Sequence, residues 1–84
     1  MPRFKLYRSG VNCLADIELI EIIVSHGIKG RDFKSIARDL HTVLTSYDIF
    51  DISLDEIRDI KGIGESKAAT IFAMIEFIRR QIVL

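Results

Sequence analysis

A chain of 84 residues is long enough for one small domain with one modest core. Apolar residues make up 49% of it, too many for a disordered segment, yet the longest apolar run, Ala68 to Ile75, includes Thr70 and stops at Glu76, far short of a bilayer span. Twelve basic and twelve acidic residues cancel, which argues against a strongly basic nucleic-acid binder. Cys13 stands alone, so neither an intramolecular disulfide nor a cysteine metal cluster is available, and a single reduced cysteine fits the cytoplasm. The start shows no secretory signal.

Taken in chain order, the first helical spacing is Ile17, Leu19, Ile20, Ile23 and Val24, with Asp16 placed to cap it. Gly27 and Gly30 break that helix, and Ile28 between them is expected to point back to a core. His26 suits a helix C-terminus, where the dipole favours it. Asp32 is a fair cap for the next helix, with Phe33, Ile36, Ala37, Leu40, Val43 and Leu44 inward and His41 on its surface. Residues Ser46 to Phe50 read as a connector with one short helical turn. Ser53 followed by Glu56 is a capping box, opening a short helix through Leu54, Ile57 and Ile60. After Gly62-Ile63-Gly64 a last helix starts near Glu65 and buries Ala68, Ile71, Phe72, Ile75 and Ile78. β-Branched residues fall at three- and four-residue spacing, not two, so the expected class is all-α with about five short helices. Cys13 is expected to be a small core residue.

The chain also echoes itself. A shift of 35 residues pairs Ile17 with Ile52, Leu19 with Leu54, Ile22 with Ile57 and Gly27 with Gly62. The same shift of 35 pairs Ile28 with Ile63, Ile36 with Ile71, Leu40 with Ile75 and Val43 with Ile78. Two helix–turn–helix units, residues 14–45 and 51–82, would then pack about a pseudo-twofold axis, since one pair cannot bury its inner face alone. Basic charge gathers at the two glycine-bearing turns: Lys29, Arg31 and Lys34 at one, Arg58, Lys61 and Lys67 at the other. If those turns share a face, a neutral protein still presents a positive patch.

The segment Ile57–Ile71 resembles the helix-hairpin-helix motif, in which an apolar residue precedes Gly-apolar-Gly and an alanine follows four residues on: Ile60, Gly62, Ile63, Gly64 and Ala68. The wider chain is similar to the N-terminal domain of the RadC-like (UPF0758) family of bacterial proteins. Pro2-Arg3, Leu14-Ala15-Asp16-Ile17-Glu18-Leu19, His26-Gly27-Ile28-Lys29-Gly30 and Ile36-Ala37-Arg38-Asp39-Leu40 carry that likeness. It implies a duplicated helix-hairpin-helix bundle of the RuvA domain 2-like type, weak and sequence-independent DNA binding, and a DNA-repair setting. The family places a larger metalloprotease-like domain with a zinc-binding His-x-His after this one, and no His-x-His occurs here. The chain is therefore expected to be a single, monomeric domain from a longer protein, without membrane contact. The resemblance also allows a monovalent cation on the turn carbonyls; no other cofactor is expected.

Two readings of each turn stay open. At Lys61, Gly62, Ile63, Gly64, Glu65, Ser66 and Lys67, bare N–H groups of Gly64, Glu65 and Ser66 at a helix start would hold a phosphate, with the lysines adding charge. Alternatively the glycines only permit a tight turn, and Glu65 counts for that. At Lys29, Gly30, Arg31 and Lys34 the side chains would reach the opposite strand, or form an ordinary solvated loop. No catalytic constellation appears: Asp55 and Glu56 are adjacent, so a helix points them apart, and they suit a helix start. Enzymatic activity is not expected of this domain. The rival to DNA binding is a protein-interaction or purely structural module.

Overall fold

A computed structural model describes residues 2–25 and 32–82. Among the described residues five α-helices run in order: α1 Pro2–Ser9, α2 Asp16–Ser25, α3 Phe33–Leu44, α4 Leu54–Arg58 and α5 Glu65–Ile82. Single 3-10 turns at Val11–Cys13 and Ile49–Asp51 precede α2 and α4, and no strand occurs among the described residues. The chain is thus an all-α bundle. What was expected of His26, Gly27, Ile28, Lys29, Gly30 and Arg31 lies outside the described residues.

Local chemistry sets the helix ends. The Asp32 carboxylate accepts the Lys34 N–H at 3.2 Å, capping α3 as its sequence position suggests. At α4 the capping box is complete: Ser53 Oγ accepts the Glu56 N–H at 3.2 Å and Glu56 Oε2 accepts the Ser53 N–H at 3.3 Å. Tyr47 adds to it by donating its hydroxyl to Glu56 Oε1, which raises the phenol above its ordinary pKa. Asp55 instead pairs with Arg58, so the adjacent carboxylates do point apart. At α2 the expectation for Asp16 is corrected. Asp16 is already helical, and Ala15 is the capping residue, its N–H held by Glu18 Oε1 at 2.9 Å.

Every α-helix but α1 contributes to the core, and neither 3-10 turn does. α2 contributes Ile20 and Val24, and α3 contributes Ile36, Ala37 and Leu40. Ile52, Ile57 and Ile60 come from α4 and its flanks, Ile63 from the following turn, and Ala68, Ile71 and Ile75 from α5. Each fully buried Ile or Leu is worth roughly 2 kcal/mol. α2 packs on α3 and α4 on α5, while α3 also meets α4. No polar or charged side chain is buried among the described residues.

Three burial expectations are corrected. Ile23 is 50% exposed, because Ile17, Ile20 and Val24 form the inward stripe and Ile23 falls past its edge. Ile78 is 45% exposed: α5, 18 residues and about 27 Å long, outruns the short α4 that covers it. Cys13 is exposed in the 3-10 turn and donates its thiol to the Ser9 carbonyl at 3.2 Å. His41 is half-buried at the last turn of α3. The helix α1 was not anticipated. It lies against α2 with Pro2 and Leu6 half-buried. It ends at Gly10, whose N–H bonds the Leu6 carbonyl at 2.9 Å and whose φ of 88° suits glycine.

Candidate nucleic-acid interface

The hairpin between α4 and α5 is built on a four-residue turn, Ile60-Lys61-Gly62-Ile63. The Ile63 N–H closes it onto the Ile60 carbonyl at 3.1 Å, and Gly62 at its third position has φ 98°. A positive φ at that place is the glycine signature of a type II turn. Ile60 and Ile63 both bury their side chains, so the turn is anchored from below at each end while Lys61 and Gly62 face outward.

Gly64 follows, immediately before α5. It has no positive φ, and a Cβ built on it meets nothing within 4 Å. Neither backbone conformation nor packing requires a glycine there. Its carbonyl accepts the Ala68 N–H at 3.0 Å, the first bond of α5. Having no side chain, it cannot cap the helix, and the N–H groups of Gly64, Glu65 and Ser66 donate to no acceptor among the described residues. They sit at the positive end of a helix of 18 residues. Gly64, Glu65 and Ser66 are all exposed, leaving the approach open, with the Glu65 carboxylate in the first turn beside it.

Lys67 is half-buried, and its ammonium donates to the Ile23 carbonyl at 3.3 Å. The start of α5 therefore lies beside the last turns of α2, across 44 positions of sequence. No local sequence signal predicts that bond. Of the first turn's candidates only Lys34 is described: it is exposed, one residue into α3. Lys29, Gly30 and Arg31 lie outside the described residues. The carbonyls of Gly62 and Ile63 accept no hydrogen bond among the described residues, two backbone oxygens that the turn can offer a monovalent cation. No group of three or more His, Cys, Asp or Glu able to hold a metal ion occurs among the described residues, and no described helix is long and apolar enough to cross a membrane.

The sequence model of the family described as UPF0758 N-terminal matches residues 1–69. A UPF0758 protein of Shewanella loihica is 42% identical over 83 residues, covering 94% of this chain and 36% of its own length. One of Finegoldia magna is 35% identical, covering 94% of this chain and 35% of itself, and one of Paraburkholderia phytofirmans is 36% identical, covering 99% and 32%. The chain thus spans about a third of the length of the curated relatives it matches. No solved structure matches it. With most of its length matched by the family's N-terminal sequence model, and the residues that resemble RadC-like proteins in place, the chain belongs to the UPF0758 family.

Proposed function

We propose that the α4–α5 hairpin grips the phosphate backbone of DNA without reading its sequence, as one module of a longer protein. The observation that carries this is Gly64. Nothing in the fold asks for a glycine at that position, yet a glycine there bares three N–H groups at a helix start and lets a phosphate oxygen approach the backbone. Lys61 brings positive charge to the outer side of the turn. Lys67 has three donors, of which one serves the Ile23 carbonyl. Phosphate contacts of this kind fix position and carry no sequence information. Two or three of them give a slope of roughly −2 to −3 in log affinity against log salt. Net neutrality keeps the affinity low.

The deciding experiment is a titration of labelled duplex at low and moderate salt with the native chain and Gly64→Ser. A serine at that position is a good N-cap: its hydroxyl accepts the N–H of Ser66 or Lys67, and its side chain stands where a phosphate oxygen would approach. Stability is expected to hold or rise by a few tenths of a kcal/mol while duplex binding falls at least several-fold. Absence of binding by the native chain at low salt, or undiminished binding by the variant, would overturn the proposal.

One observation favours a second role alongside. Met74, Phe77, Ile78 and Ile82 are each between 45% and 59% exposed on the C-terminal half of α5. An unpartnered apolar stripe of that kind suits docking to protein.

A further inference from the structure

The helix α1 is amphipathic the wrong way round. At a hundred degrees per residue Pro2 and Leu6 share one side, and they are its half-buried residues. The opposite side carries Phe4, Tyr7 and Arg8. Phe4 is 70% exposed and Tyr7 80%, the highest values among the large hydrophobic residues described. The orientation is held from both flanks. Arg3 donates to Ser25 Oγ at 3.3 Å near the end of α2, and Lys5 pairs with Glu18 at 3.1 Å near its start. These two contacts fix the helix with its rings outward, although aromatic side chains gain more than most from burial.

We propose that this outward face of α1 is a stacking surface for the unpaired bases of single-stranded nucleic acid. Positions three apart on a helix hold their Cβ atoms about 5–6 Å apart, so the two rings are neighbours that can take up successive bases. Arg8 lies one turn from Phe4, and α1 contains no acidic residue. Arg3 and Arg8 make no ion pair among the described residues, so positive charge borders the rings. Rings beside uncompensated cations match a ligand that has π-faces and phosphates together. A lipid surface matches less well, because the outward face offers two rings and an arginine while Leu6 is turned inward, too narrow an apolar strip for insertion. This surface is separate from the α4–α5 hairpin and stands or falls independently of it.

The chain has no tryptophan and two tyrosines, so Tyr47→Phe leaves Tyr7 as its reporter in ultraviolet emission. A short oligothymidylate is expected to quench that emission about twofold or more at saturation. Phe4→Ala in the same background is expected to weaken oligothymidylate binding by roughly fivefold to a hundredfold. Phe4 is exposed, so the variant should keep its helical circular dichroism; if it does not, the quenching alone decides. The same quenching is expected in a Gly64→Ser chain. Unchanged Tyr7 emission would overturn the proposal. So would equal quenching by inorganic polyphosphate, which marks charge alone, or quenching by phosphatidylglycerol vesicles in place of the oligonucleotide.

Discussion

Two glycines separated by one isoleucine do different work in this hairpin. Gly62 sits at φ 98°, where an L side chain costs about 1–2 kcal/mol, and the turn that Ile63 closes onto Ile60 depends on it. Gly64 is free of that constraint, with open space where a Cβ would lie. Gly62→Ala should therefore lower unfolding stability by about 1–2 kcal/mol, and Gly64→Ala by less than about 1, the difference between Gly and Ala at a helix cap. Urea unfolding of the two variants measures this directly, and the reverse order would make Gly64 the structural glycine. The sequence displays the pair but cannot divide the labour between them. A φ angle and the space around a missing Cβ both depend on how Ile60 and Ile63 are buried. Cys13 makes the same point in the other direction, since a small apolar residue type says nothing of the exposed turn that holds it.

At the scale of elements, α5 carries a clamp on its exposed half. Glu76 accepts from Arg79 Nη2 at 2.7 Å and from Arg80 Nε at 2.8 Å, with the glutamate N-terminal to both arginines, the favoured order along a helix. Arg79, then Arg80, holds the Glu76 carboxyl down to about 2 from an ordinary 4.5. A depressed carboxyl contributes its stability above the unfolded value, so the contribution is whole at neutral pH and drains as pH falls from 4.5 towards 2. Amide protection over residues 77–82 should follow that window, and Glu76→Gln should abolish the dependence; protection that falls already between pH 7 and 5 would contradict it. The groups are substantially exposed, so the effect stays local. The ends of α3 and α4 were legible in the sequence because their caps, Asp32 and the Ser53–Glu56 box, act over two or three residues. α1 was not, because its aromatic residues face water and leave no buried period to detect; its position depends on Ser25 and Glu18, far along the chain.

Over the whole molecule, two pairs of the 35-residue echo share their burial, Ile36 with Ile71 and Leu40 with Ile75, while Val43 is half-buried and its counterpart Ile78 is exposed. In the first helices it slips: Ile52 and Ile57 are buried while Ile17 and Ile22 are half-buried, and Ile20 and Val24 take the inner places opposite exposed Asp55 and Asp59. The halves are therefore joined by something other than strict repetition, and Lys67 supplies part of it. Its ammonium reaches an Ile23 carbonyl in the last turns of α2, where carbonyls lack intrahelical donors and a cation meets the negative end of the dipole. Lys67→Met keeps the helix propensity and most of the apolar stem while deleting the charge. Stability should fall by about 1 kcal/mol, and amide exchange should quicken over residues 22–25 more than over α4. If the ammonium also meets a phosphate, the slope of log affinity for duplex against log salt should lose about one unit in the same variant. An unchanged slope with the expected loss of stability would make Lys67 a tether between the halves and leave the backbone N–H groups after Gly62 to hold the phosphate by themselves.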